Sequence, residues 1–369
     1  MPQVADDLTP DGGQSGCPYG ALPDQAFWSR AVARLAPGDV DPAGGAPFQI
    51  TPSDRIASAG SCFAQHIARR LAGAGYNYLV TEPGYPRLGE RLAAKYNYGT
   101  FTARYGNIYT ARQLVQLFDR AYGAFIPAEP FWRNGDHWID PFRPMVQPKG
   151  FASKTEARVD RDQHLAAVRE MMETLDVFIF TFGLTESWIC TDDQAVLPVC
   201  PGCGVGAFDP ARYAFKNFDV AEVIADFTAF ATRLRGVNPR ARIVLTVSPV
   251  PLVATYSGDH VLSATTYSKA VLRVAAGQLA RSLDACAYFP SFEIITGAFS
   301  RGGYYAPDLR EVEPAGVDHV MRVFFRQFGL TPQAAAAPTG PTSIARRTRN
   351  LLDAYCEEYQ SLAGIADDR

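Results

Sequence analysis

The residues most able to do chemistry in this 369-residue chain lie together at Gly60-Ser61-Cys62-Phe63-Ala64. A short apolar run from Arg55 to Ala59 leads into Gly60, and a helical stripe of Phe63, Ile67 and Leu71 follows at once. A hydroxyl at Ser61 and a thiol at Cys62 therefore stand where a strand turns into a helix. In an open parallel sheet ligands bind at that edge, and the helix start offers unpaired N–H groups and the positive end of its dipole. The setting favours a thiolate at Cys62 and acyl transfer through a thioester. The plainer reading is an N-cap at Ser61 followed by a small buried cysteine, and the local sequence leaves both open.

A strand-to-helix turn of this kind needs a sheet around it, and the chain supplies the pattern. Up to Ile50 it is rich in Gly, Pro and Asp and reads as an arm, apart from a helical patch at Phe27 to Leu35. Beyond it, apolar runs alternate with amphipathic stretches. Strands are expected at Arg55 to Ala59, Tyr78 to Val80, Val177 to Thr181, Ile243 to Val247 and Ala287 to Phe289. Helices are expected at Cys62 to Ala72, Thr110 to Ala121, Asp160 to Thr174, Val220 to Arg235, Thr266 to Ser282 and Val317 to Phe328. The alternation predicts a three-layer α/β/α fold with a mostly parallel, flavodoxin-like sheet. Residues 1–50 form the arm and residues 51–330 the α/β domain. Residues 331–369 form a linker and a C-terminal helix from Thr342 to Leu362. The segment Phe131 to Pro148 fits neither period and reads as an inserted loop or small hairpin.

Composition narrows the partners. Lys plus Arg number 35 against 38 Asp plus Glu, a balance that gives no electrostatic reason to expect nucleic acid or an anionic membrane. A small neutral or weakly charged substrate fits better. The apolar stretches near the start are interrupted by Asp6, Asp7, Asp11 and Pro18, and no membrane span is visible, which favours the cytoplasm. Seven scattered cysteines do not form a disulfide framework. Cys200-Pro201-Gly202-Cys203 lacks a second pair at zinc spacing, so neither metal nor cofactor is expected.

The turn and the residues after it, Gln65-His66-Ile67-Ala68, resemble the signature of the GSCFA-domain family. Similar pieces recur at Tyr105-Gly106-Asn107-Ile108-Tyr109-Thr110, Thr181 to Trp188, Thr246 to Pro251, Tyr267-Ser268-Lys269 and Tyr288 to Glu293. That family is grouped with the SGNH (GDSL-like) hydrolases, so the resemblance implies an esterase or acyltransferase built from four blocks. The first is a Gly-Asp-Ser turn. Aligned on the glycine, Gly60-Ser61-Cys62 puts Cys62 at the nucleophile position, with Ser61 its rival if the turn shifts by one residue. For the oxyanion hole the resemblance implies Gly106 and Asn107, with Gly99 competing. The block Gly-x-Asn becomes Gly183-Leu184-Thr185, and losing one oxyanion donor outright costs about 3 to 4 kcal/mol, so the threonine matters. Thr185 or Glu186 capping the next turn is the alternative.

The last block, Asp-x-x-His, has two registers. Asp308-Leu309-Arg310-Glu311 puts Glu311 in place of the imidazole. Ala315-Gly316-Val317-Asp318-His319, with one inserted residue, keeps His319 as base and is preferred, because a carboxylate is a weak base unless buried. Asp308 or Asp318 then orients the ring. His66, four residues after Cys62, is a second candidate base, although its place at the margin of the apolar stripe suits a surface histidine. Ser248 ends the fourth strand at the same sheet edge, and Lys269, like Arg310, either meets an anionic group of the substrate or is merely solvated. The substrate expected is a small-molecule or glycan ester. The rival is a binding protein that kept the scaffold and lost the chemistry.

Overall fold

The run Val-Phe-Ile-Phe-Thr-Phe at Val177–Phe182 is buried along its whole length, as a central strand of a parallel sheet covered on both faces must be. The computed structural model describes residues 17–331, and these divide at Pro42/Ala43 into two units. The first contains short 3-10 turns at Pro18–Ala21, Asp24–Ala26 and Pro37–Asp39 and one π turn at Ser29–Ala33, inside the expected helical patch. The linker and the helix expected from Thr342 to Leu362 lie outside the described residues.

The second unit opens with β1 (Ile56–Gly60), α1 (Cys62–Gly73), α2 (Glu90–Lys95), α3 (Ala111–Ala121) and the hairpin β2 (Trp132–Asn134) and β3 (His137–Ile139). Next come α4 (Lys154–Thr174), β4 (Val177–Phe182), β5 (Glu186–Cys190), β6 (Val196–Leu197), β7 (Tyr213–Asn217) and α5 (Val220–Val237). β8 (Arg242–Val247), α6 (Val261–Ser282), β9 (Cys286–Tyr288), α7 (Ser291–Thr296) and α8 (Pro314–Phe328) complete it.

The main sheet has the order β1-β4-β8-β9, every neighbour parallel. The segment expected as a strand at Tyr78 to Val80 forms only one bridge, Tyr78 to Ile56, on the outer side of β1. That bridge still gives the flavodoxin-like order, because it lies where a second strand would pair. Side chains alternate across the sheet with period two. Phe178, Phe180, Phe182, Ile243, Leu245 and Val247 pack on one side with residues of α3, α4, α5 and α6. Val177, Ile179, Val244 and Ala287 pack on the other with residues of α1, α7 and α8. The result is the expected three-layer α/β fold. No helix among the described residues is long and apolar enough to cross a membrane.

Two features lay unread in the sequence. An antiparallel sheet of order β6-β5-β7 grows from the end of β4, and a buried ion network holds the loop that follows α2. In that network Arg143 bonds Asp140 (3.0 Å) and Asp160 (2.8 Å), Arg104 bonds Asp160 (2.9 Å), and the Arg104 N–H bonds Glu82 (2.8 Å). His164 Nδ1–H donates to Glu82 Oε2 at 2.8 Å. Burial and the positive charge of Arg143 hold the His164 pKa down at about 4. Burial alone would raise Glu82, but the His164 bond and the charge of Arg143 outweigh it and hold it at about 2.

These shifts predict acid sensitivity. The folded pKa of His164 lies below its unfolded value near 6.5, so the unfolded chain takes up the proton first as pH falls. Its stabilising effect is complete above pH 6.5 and is lost down to about 4. Glu82 adds a second loss, between its unfolded value near 4.5 and about 2. The histidine share is on the order of 3 kcal/mol. His164→Asn keeps a donor for Glu82 and removes the imidazole. Melting temperatures measured between pH 7 and pH 4.5 are expected to fall less steeply for the variant than for the parent, and equal slopes would contradict this assignment.

Candidate active site

Gly60 ends β1 with φ +142, and Ser61 caps α1 without using its side chain as a cap. Its N–H donates to Thr181 O (3.2 Å) and its carbonyl accepts from Ala64 N (2.9 Å). The Ser61 hydroxyl is buried and has no hydrogen-bond partner among the described residues; the same holds for Thr181 Oγ1 and Thr185 Oγ1 at this sheet edge. An unpaired buried hydroxyl costs about 1 to 3 kcal/mol, so three of them near one edge mark a place shaped for something other than packing.

Beside the turn lies a cavity lined by Ser61, Cys62, Tyr109, Gly183, Leu184, Ser248, Val250, Pro251 and Arg310. Its volume is about 10 Å³, room for about one water molecule. Each wall is fixed by local chemistry. A capping box sets Tyr109: Thr110 Oγ1 accepts from Gln113 N (3.2 Å), and Gln113 Oε1 accepts from the N–H groups of Thr110 (3.0 Å) and Tyr109 (2.9 Å). Tyr109 O accepts from Gly183 N (2.9 Å) and Leu184 N (3.1 Å), and Ile108 N donates to Gly60 O (2.8 Å), so this loop clamps the ends of β1 and β4 together. Gly183 is pressed against the turn, since a Cβ there would stand 3.0 Å from both Ser61 Cβ and Tyr109 Cδ1. Lys269, buried on α6, donates from Nζ to Gly183 O at 2.7 Å. Ser248 Oγ accepts from Val250 N (3.3 Å) at the end of β8.

A family model, that of the GSCFA family, matches residues 55–324. The chain belongs to the GSCFA family. No curated protein and no solved structure matches it.

The GSCFA turn thus brings together four of the residues read from the sequence: Ser61, Cys62, Gly183 and Ser248 line one cavity, with Lys269 bonded to its floor at Gly183. Arg310, whose role the sequence left open, also lines it. A tight turn accounts for its position. Asp308 Oδ1 accepts from Arg310 N and Glu311 N, both at 3.0 Å, and Leu309 adopts a left-handed φ of 56, after which Arg310 Nη2 reaches Pro251 O (3.2 Å).

The other expected residues lie apart from this cavity. Asp308 and Glu311 are exposed on the outside of that turn. His319 is buried in α8, its Nδ1 2.8 Å from the Tyr304 hydroxyl and its ring beside Phe299 and Tyr304. On α8 it follows Gly316 by three residues and so shares the face of that residue, which lies against Ile295 and Tyr304. His66 is half-buried against Phe63, where burial and the charges of Arg69 and Arg70 hold its pKa down at about 4. Asn107 accepts from Gln65 Nε2 (3.3 Å) and, with Arg120 and Arg143, lines a different cavity of about 20 Å³; Gly106 is buried beside it with φ +70. The Thr185 N–H donates to Ser268 Oγ (3.0 Å). Glu186 accepts from Thr255 Oγ1 (2.6 Å) and Tyr256 N (3.3 Å) on a separate pocket, and burial raises its pKa. Cys200 to Cys203 close a turn with Gly202 at φ +89, and among the described residues no group of three or more His, Cys, Asp or Glu is placed to hold a metal ion.

Proposed function

We propose that the chain is an SGNH-like acyl hydrolase or acyltransferase that acts on an ester of a hydroxylated small molecule or glycan, with Cys62 as nucleophile. The observation that carries this reading is the cavity at the carboxyl edge of the parallel sheet, where Cys62, the unpartnered hydroxyl of Ser61, Gly183 and Arg310 meet. No imidazole or carboxylate is among its lining residues. A serine hydroxyl needs a base in contact to become a nucleophile. Sulfur is intrinsically the stronger nucleophile and depends less on a base in contact than a hydroxyl does, which favours Cys62 over Ser61.

The step is ordinary acyl transfer. The Cys62 sulfur attacks the ester carbonyl carbon, a C–S bond forms, and the carbonyl oxygen becomes an oxyanion. Ser61 Oγ–H and the first-turn N–H groups of α1 supply donors for that charge, and Arg310 and Lys269 add positive potential. Collapse of the oxyanion breaks the C–O bond to the leaving alcohol, which takes the proton released by the thiol. Water, or the hydroxyl of an acceptor, then attacks the thioester, returning the thiol and releasing the acid or the new ester.

The test is release of p-nitrophenol from p-nitrophenyl esters with a burst matching the protein concentration. Absence of release from every ester, with retained binding of a glycan, favours the rival reading of a binding protein, which the closeness of the cavity and its lack of a base support. Gly183→Ala tests the wall: the added methyl displaces Ser61 or Tyr109 by a few tenths of an ångström. Turnover is expected to fall about tenfold or more for a stability loss of about 1 kcal/mol. Equal turnover at an unchanged melting temperature would contradict the role given to this contact.

A further inference from the structure

Tyr109 and Leu184 line the cavity beside Cys62, and on their other side they line a second and far larger one of about 470 Å³. With Leu252 they form a small buried cluster of their own, so they act as a partition between the two spaces. The larger cavity is within the range of small-molecule pockets, and it lies apart from the groups assigned to acyl transfer at Cys62.

Its walls are apolar. Trp188 on β5 is the centre, with ring centroids 5.3 Å from Phe208, 6.0 Å from Phe215 and 5.0 Å from Tyr256, and Leu197 and Val199 close the far side. The polar groups present are already engaged with one another. Glu186 takes bonds from Thr255 and Tyr256, and Ser187 Oγ donates to Leu197 O at 3.0 Å. A sugar would find few open donors or acceptors here, whereas a hydrocarbon finds aromatic faces and aliphatic carbons. Tyr256 and Phe208 are 67 % and 44 % exposed at the rim, more than large aromatic rings with only a packing role need be.

We propose that this cavity binds the aliphatic acyl chain of the substrate, and that the chain prefers medium-length acyl groups to acetyl. The inference rests on the acyl-transfer reading of Cys62. A carbonyl held at the Cys62 sulfur has two ways to extend: past Arg310, which suits a hydroxylated alcohol, or across the Tyr109–Leu184 partition, which suits hydrocarbon. Leu184 and Tyr109 border both spaces, so on this proposal the acyl chain displaces the Leu184 side chain to pass from one into the other.

The experiment compares kcat/KM for p-nitrophenyl acetate and p-nitrophenyl octanoate, and in parallel titrates octanoate into the unreacted protein by calorimetry. Ala254, exposed on the wall of the large cavity and outside the reacting groups, is replaced in Ala254→Trp to fill it. The parent is expected to favour octanoate by about tenfold or more and to bind octanoate; the variant is expected to lose both while keeping its rate on acetate. Octanoate binding that Ala254→Trp removes, in a protein that turns over no ester, supports the pocket and overturns only the acyl-transfer reading. Turnover of acetate equal to or above octanoate, with no octanoate binding and no effect of Ala254→Trp, overturns the pocket and leaves acyl transfer standing.

Discussion

Cys62→Ala is expected to lower ester turnover by about a thousandfold or more, whereas Ser61→Ala lowers it by about a hundredfold and leaves the burst in place. The two outcomes separate because the residues have different tasks. Without the sulfur there is no thioester, and the remaining donors act only on direct attack by water. Without the Ser61 hydroxyl the thioester still forms, but the oxyanion loses a donor that is buried and bound to nothing else described. Steady-state rates and burst amplitudes on p-nitrophenyl esters measure both. A reversed order, with Ser61→Ala abolishing the burst and Cys62→Ala retaining it, would transfer the nucleophile to the hydroxyl.

Gly60→Ala carries the largest expected effect on stability. A Cβ at this position would stand 2.4 Å from Thr181 O and 2.8 Å from Thr181 N and Cβ, and the residue holds φ +142. The clashing atoms belong to a central strand, so neither side can move cheaply, and the φ value is one that only glycine adopts without strain. Clash and strain together are expected to cost about 4 kcal/mol or more, a large part of the stability of a domain. Gly73, at the exposed end of α1 with open space where a Cβ would go, is the control. Gly73→Ala is expected to be neutral or stabilising by about 0.5 to 1 kcal/mol. Urea melts of the two variants measure the contrast, and similar midpoints would contradict the close approach of β1 to β4.

Most of what could be read from the chain was local. The apolar run from Val177 to Thr181, the glycine before a helical stripe at 60–71 and the amphipathic stretch from Thr110 to Ala121 each specify their element within a few residues, and the helices α4, α6 and α8 differ from expectation by extra residues at their starts. In the small antiparallel sheet β5 and β7 escaped because polar residues such as Glu186, Ser187, Lys216 and Asn217 break up their apolar runs, and β6 has only two residues. Tyr78 failed to extend into a strand because the chain turns away by Thr81, whose N–H bonds Thr102 O (2.8 Å) instead. The lining of the cavity was legible where it rests on strand ends, at Ser61, Cys62, Gly183 and Ser248. It was not legible where side chains reach in from elsewhere. Counting registers favoured His319 or Glu311 after Asp308, but the left-handed turn at Leu309 sends Arg310 to the cavity, and no spacing rule reveals that.

Acyl transfer at the Cys62 turn requires a covalent acyl group on that one sulfur. The direct measurement is to mix the protein with p-nitrophenyl acetate, quench in acid within the burst, digest, and locate the added mass by tandem mass spectrometry. A single acetyl group on Cys62, absent after Cys62→Ala, is the predicted result. An unmodified Ser61–Cys62 peptide during measurable turnover, or the acetyl group found on another residue, would contradict it.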